Sequence, residues 1–311
     1  MDLLSQIKQN VETVIIGKSS VIDLMLTSLV AGGHVLLEDV PGTGKTVLAK
    51  SLARSLNAEF ARIQFTPDLL PSDVTGLNYY NQKEGEFIFR RGPVFCNILL
   101  ADEINRATPR TQSALLECME EKQVTIDGVT RPLAAPFFVI ATQNPVETTG
   151  TFPLPEAQLD RFLMQLSMGL PTPEEELAIL NRFQKQEPLR ELSAVCGKEQ
   201  LLEAQQAYRD TFIHPALMNY MVELIQKTRS HPYVITGVSP RGSLALMRAS
   251  QAYAWLHQRG YVVPEDIKTV AGPVLAHRLI TSRSVGALSS GAEIIARLLE
   301  EIPVPTENWN R

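Results

Sequence analysis

Cysteine, aromatic residues and long apolar runs are all scarce in this sequence. The three cysteines, Cys96, Cys118 and Cys196, are far apart and form no C-x-x-C pair. That excludes a disulfide framework and a thiolate zinc site, and suits reduced thiols in a cytosol. The most apolar stretch, 21–37, is broken by Asp23, Gly32, Gly33 and His34, so nothing reaches the roughly 18 residues of a membrane-spanning helix. The opening MDLLSQIKQN lacks the apolar run of a signal peptide. A cytoplasmic protein without a membrane segment is expected. Nor is there an excess of positive charge: 29 Lys and Arg stand against 34 Asp and Glu, a net charge of −5. A surface built to lie on nucleic acid is therefore not expected. There is no internal repeat and no low-complexity tract.

What is present is a chain of 311 residues, 44% hydrophobic, long enough for one sizeable core and a second, smaller one. Over 1–170, short β-type runs alternate with helical patterns, which predicts a mostly parallel sheet covered by helices. The expected strands are 34–38 (HVLLE), 59–65 (EFARIQF), 97–101 (NILLA), 137–141 (FFVIA) and 163–168 (LMQLSM). Helices fit 45–56 and 109–121, the second with Thr108 as N-cap and Pro109 at the first helical position. Two segments decorate this frame. Residues 67–93 carry the aromatics Tyr79, Tyr80, Phe87 and Phe89 around a polar tip, and in 123–133 the pair Asp127-Gly128 signals a tight hairpin. The aromatics read first as local packing, with a grip on a client as the other reading. After 168–173 the pattern turns wholly helical, opening on a Thr172/Glu175 capping box and including a helix from Pro264 that Gly272-Pro273 should stop.

The first strand runs into DVPGTGKT and then a strong helical pattern. Phosphate binding needs this order. A strand delivers a tight turn whose backbone N–H groups converge on phosphate oxygens, and glycines keep side chains out of the way. The next helix points the positive end of its dipole at the anion. Pro41, Gly42, Thr43, Gly44, Lys45, Thr46 and Val47 form this cradle, with Lys45 on the β- and γ-phosphates of ATP and the Thr46 hydroxyl on Mg2+. A Gly-Lys-Ser/Thr triplet arises by chance in roughly one such chain in seven; with Pro-Gly ahead of it, in roughly one in two thousand. One departure is Asp39, where a glycine usually opens the motif. It stands at the strand exit, ahead of the phosphate turn, where a side chain should be tolerated.

Further on, NILLADE is an apolar strand ending in two carboxylates. Asp102 at its lip can hold magnesium through water, and Glu103 can polarise the attacking water. The strand FFVIATQNP ends in Asn144, whose amide could hold the water or the γ-phosphate.

The cradle, NILLADEINRATPRTQSALLECMEE, FFVIATQNP and FPLPEAQLDRF together resemble the MoxR family of AAA+ ATPases, and the likeness extends over nearly the whole chain. It implies an α/β fold, with a five-stranded parallel sheet carrying helices on both faces over 1–170 and a helical lid over 171–311. It also implies a ring, usually a hexamer, with ATP at subunit interfaces. By the same resemblance Arg161, in LDRF, matches the arginine finger that reaches a neighbour's γ-phosphate, with Arg106 and Arg110 as rivals. Arg241, in SPRGSL, matches a second sensor touching phosphate in its own chain. Ile15, Ile16 and Gly17 match the loop that cups adenine. The expected function is ATP hydrolysis coupled to chaperone-like maturation or assembly of client proteins, sometimes with metal or cofactor insertion and a partner bearing a von Willebrand factor A-type domain. The motor subunit of a metal-chelatase-like complex and an ATP-gated scaffold with negligible turnover are the alternatives.

Overall fold

The computed structural model describes residues 3–145, 150–184, 187–282 and 290–305. In chain order, α1 (Leu3–Glu12) and α2 (Ser19–Val30) precede β1 (Val35–Glu38) and α3 (Lys45–Ser55). Strand β2 (Phe60–Gln64) leads into α4 (Pro71–Thr75) and the hairpin of β3 (Gly76–Asn81) and β4 (Glu86–Arg91). Then come β5 (Ile98–Asp102), α5 (Pro109–Glu121), the hairpin β6 (Gln123–Ile126) with β7 (Val129–Pro132), and β8 (Phe138–Gln143). Helix α6 (Glu156–Leu159) and β9 (Met164–Leu166) close the α/β part. The rest comprises α7 (Pro173–Phe183), α8 (Pro188–Glu191), α9 (Lys198–Ala207), α10 (Pro215–Ser230), β10 (Val234–Thr236), α11 (Pro240–Leu256), α12 (Pro264–Leu275), β11 (Ile280–Thr281) and α13 (Gly291–Glu301).

Five strands pair in the order β2-β5-β8-β1-β9, every contact parallel. The apolar runs are continuous because both sheet faces are covered. Val35, Leu37, Ile98, Leu100, Phe138 and Ile140 enter one core, while Leu36, Leu99, Ala101, Val139 and Ala141 enter the other. The first core does not stop at the sheet. It takes in α1 to α3 and runs on through Leu201, Leu217, Leu224, Leu246, Ile267 and Ile295 of the C-terminal helices. The second is closed by α5, through Leu115, Leu116 and Met119.

Both decorations are antiparallel hairpins. Asp127 and Gly128 each have positive φ, the requirement of the two-residue turn. Phe89 is packed, beneath Arg131 and against Phe95, whereas Tyr79, Tyr80 and Phe87 are exposed. Asn78 of one hairpin donates to Asp127 of the other at 2.6 Å.

Two local expectations are corrected, and a third is met in position but not in its hydrogen bond. The C-terminal region is not wholly helical, since β10 and β11 form a short antiparallel ribbon. Helix α12 runs past Gly272-Pro273, because burial of Ile267, Val270, Ala271, Val274 and Leu275 outweighs the bond that the proline forfeits. Thr108 occupies the N-cap of α5, but its hydroxyl caps no backbone N–H.

Two buried histidines make this packing sensitive to acid. His34 Nδ1 accepts from the Val139 N–H, so its proton sits on Nε2, facing the Met119 carbonyl. Burial lowers its pKa to about 4. For His277, burial and then the neighbouring Arg278 lower it to about 3. On unfolding, both would titrate near the ordinary value of about 6.5, so below that pH the unfolded chain binds more protons. Stability should therefore be full above pH 6.5 and fall as pH drops towards 4, by up to about 1.4 kcal/mol per pH unit for each histidine. Urea unfolding at a series of pH values measures this slope, which should be shallower in His34→Gln.

Candidate active site

The turn after β1 is built for close approach of an anion. Gly42 and Gly44 have φ of 88° and 90°, a left-handed conformation open to glycine and costly for other residues. Gly44 occupies the N-cap of α3 with no side chain to satisfy the first N–H groups of Lys45, Thr46 and Val47, which remain for a phosphate. Lys45 Nζ donates to the Asp39 main-chain oxygen at 2.9 Å. The Asp39 side chain points the other way. It is buried and accepts from Ser167 Oγ and the N–H of Met168, both at 2.7 Å, and from the N–H of Gly169 at 3.0 Å. The residue that departs from the usual glycine is thus a tie between the phosphate turn and the strand that leads into the lid.

Because β5 lies beside β8, and β8 beside β1, their C-terminal ends share one edge of the sheet. Asp102 ends β5 and Glu103 follows in a left-handed conformation, φ 56° and ψ 49°, which is strained for a non-glycine residue. Thr142 braces both. Its hydroxyl donates to Asp102 Oδ1 at 2.7 Å and accepts from the Glu103 N–H at 2.9 Å. From the other side, edge strand β2 supplies Arg62, with Nη2 2.7 Å from Asp102 Oδ2, and Gln64, whose Nε2 donates to Glu103 Oε2 at 2.8 Å. Arg106 Nε lies 3.0 Å from the same Glu103 oxygen. Asn144 is buried one residue beyond β8.

Sequence reasoning missed Arg62, Gln64 and Thr142. Arg62 and Gln64 sit two residues apart on one strand, and so on one face, but nothing in that strand's own sequence tells which residues it faces.

Among the described residues no group of three or more His, Cys, Asp or Glu could hold a metal ion. Magnesium is commonly held by one or two protein oxygens together with water and phosphate. Thr46 and Asp102 are donors of that kind.

Beside the turn lies a cavity of about 220 Å³ with a mainly apolar wall. Ile15, Ile16 and Val47 line it, as do Thr43 and Gly44, and α7 contributes Ile179 and Phe183, which the sequence did not single out. Gly17 is not in its wall. It turns the chain with φ of 74° under Glu175, where a Cβ would come within 1.9 Å of the carboxylate.

Arg161 and Arg241 are brought together, but elsewhere. Arg161 Nε bonds Glu120 Oε2 at 2.8 Å, and Arg241 Nη1 lies 3.1 Å from Oε1 of the same carboxylate. The hydrogen bond from Arg161 is the main reason the Glu120 pKa is lowered. Both arginines line a second cavity together with Gly32, Gly33 and His34, which precede β1, so the pair stands at the N-terminal edge of the sheet. The phosphate turn is a strand away, about 16 Å at 3.3 Å per residue. Arg241 thus rests on Glu120 at that edge and not beside the phosphate turn of its own chain. Of the rivals, Arg106 lies on the Glu103 side, and Arg110 is exposed on the first turn of α5.

Comparison with known proteins matches this geometry. The family described as ATPase family associated with various cellular activities (AAA) matches residues 34–164, and the AAA lid domain matches 226–298. A Bacillus subtilis protein, YeaC, is 52% identical over 98% of this chain and 96% of its own. Chaperone MoxR1 of Mycobacterium tuberculosis is 42% identical over 96% of this chain and 81% of its own. The chain belongs to the MoxR family of AAA+ ATPases. Protein MoxR of Paracoccus denitrificans is more distant, 33% identical over 86% of both chains. A crystal structure from Cytophaga hutchinsonii, of a protein assigned to the ATPases, superposes with a TM-score of 0.91 at 41% identity, over 98% of this chain and 95% of that one. Like its relatives, this MoxR chain is an AAA+ α/β core with a helical lid, and it hydrolyses ATP.

The aromatic wall from α7 should contribute to nucleotide affinity. Phe183→Ala is expected to weaken binding of a fluorescent ATP analogue by about tenfold, the loss of roughly half the transfer energy of a buried phenyl group. The unfolding temperature should change little, since Phe183 is exposed.

Proposed function

We propose that this MoxR protein is the ATP-driven subunit of a chaperone-like remodelling ring, most simply a hexamer. One observation carries the reading. The two phosphate-seeking arginines are gathered on Glu120 at the sheet edge remote from the chain's own cradle, so the site is incomplete without a second copy. In a head-to-tail ring each subunit presents that edge to the next subunit's nucleotide. The relative named as a chaperone supports the chaperone-like role.

In this reading ATP lies along α3, its base in the cavity walled by Ile15, Ile16, Val47 and Phe183, and its phosphates on the N–H groups of residues 42–47. Lys45 leaves the Asp39 carbonyl for the β- and γ-phosphates. Thr46 and Asp102 would hold Mg2+, which supplies charge neutralisation on the phosphates. Glu103 orients and polarises the attacking water, with Asn144 beside it. Arg161 and Arg241 arrive from the neighbour and stabilise the charge that develops on the transferred group. Arg241 is thus proposed to act across the interface together with Arg161.

Loss of the γ-phosphate releases both arginines, and the change reaches the two hairpins, the first of which meets the client with its exposed Tyr79, Tyr80 and Phe87. The clients are proteins awaiting maturation, assembly or metal insertion, reached in the cytoplasm with a separate partner bearing a von Willebrand factor A-type domain. Nucleic acid is not part of this reading.

Mixing experiments test the shared site. Glu103→Gln should bind ATP and lose turnover. Arg161→Ala should lose on the order of 10³-fold in turnover. Mixed in equal amounts, the two should recover about one quarter of wild-type phosphate release, because a working site needs an intact Glu103 and a neighbour's intact Arg161. A mixture as inactive as its components would sink the proposal.

A further inference from the structure

The carboxylate assigned to magnesium is already engaged by a cation. On Asp102, Oδ1 is taken by the Thr142 hydroxyl, a neutral brace with no exposure to solvent. Oδ2 is held by the Arg62 guanidinium, with Nη2 at 2.7 Å and Nε at 3.2 Å. The same Nη2 bonds Gln64 Oε1 at 2.9 Å. Arg62 belongs to β2, the outermost strand, which pairs on one side only. Its side chain is about half exposed while that of Asp102 is largely covered. It also lines an open groove beyond the sheet edge, along with Glu59 and Asp73, so the guanidinium has both room to leave and carboxylates to leave for.

Such a pair does little for the fold, since half-exposed ion pairs add little stability. Its effect on a metal site is larger. A divalent cation and a guanidinium brought to one carboxylate oxygen repel at that distance. Thr142, being neutral, can remain on Oδ1 throughout, whereas Arg62 opposes the metal at Oδ2.

We infer that Arg62 is a positioning residue that guards Asp102: it holds the metal-binding oxygen while the cradle is empty and must be displaced for the metal to enter with nucleotide. The inference rests on the assignment of Asp102 as the carboxylate that meets the metal. It makes the metal requirement of this protein weaker in affinity than the donor set alone would give, and it keeps Asp102 charged and oriented between turnovers. Arg62 touches neither nucleotide nor water in this role.

The test is a metal titration of the full chain. Mn2+, as a magnesium surrogate, is titrated in saturating ADP and free Mn2+ is read by electron paramagnetic resonance. Arg62→Gln should bind Mn2+ about two- to fivefold more tightly than wild type, the strength of one half-exposed ion pair. ADP affinity measured in EDTA should not change, and Arg62→Lys, which keeps the charge, should lie between Arg62→Gln and wild type. Unfolding temperatures confirm that each variant is folded. Unchanged or weaker metal binding in Arg62→Gln overturns the inference, the latter meaning that Arg62 sets Asp102 in its productive orientation. Asp102→Asn separates the two layers. If it weakens metal binding while Arg62→Gln does nothing, the guard alone is wrong; if it leaves the titration unchanged, the assignment of Asp102 falls first.

Discussion

The parallel alignment of β1, β5 and β8 is the constraint from which the site follows. Parallel neighbours exit at a common edge, so the phosphate turn after Glu38, the carboxylates at 102 and 103 and the amide at 144 meet there although dozens of residues part them in sequence. Burial on both faces holds the register, since a slip of one residue would exchange the two cores' side chains. The same alignment places everything that precedes a strand at the far edge. Arg161, ahead of β9, is directed there by chain polarity and not by side-chain chemistry.

How legible this was depends on whether a feature is local. The phosphate turn could be read because its signal is conformational: Gly42 and Gly44 lie where other residues would be strained, directly between a strand and a helix. The hairpin at Asp127-Gly128 could be read for the same reason. The five strands and the paired acids could be read from apolar runs that end in charge. Arg62, Gln64 and Thr142 could not, because each works on a residue some forty positions away across a strand pair, and registration is not written in a strand's own sequence. The placement of Arg241 on Glu120 was not legible for a related reason. Its motif names a phosphate partner, but only the docking of α11 against the sheet tells at which edge it stands. The short β10–β11 ribbon and the helix that survives Pro273 are cases where tertiary burial overrides local preference.

The arginine pair also has a resting state. Glu120 engages Arg161 and Arg241 together, and Arg278, almost fully buried, holds Asp160 beside them. Three guanidinium groups thus meet two carboxylates, an excess of positive charge, and in the proposed ring a neighbour's phosphate competes with a carboxylate for donors already held in place. On that reading little must reorganise: side-chain partners change, while the α11–sheet packing that carries them is left intact.

One acidic side chain, Asp39, makes the division into core and lid less separable than its outline implies. Its carboxylate accepts from three donors at 167 to 169, and the oily seam on that side of the sheet runs straight into the helices of the second half. A fragment cut ahead of 167 would leave an anion in a dry crevice without donors and bare the apolar surfaces of α1, α2 and the sheet. The halves differ in architecture, yet they share one continuous core, and cutting between them would expose it on both sides.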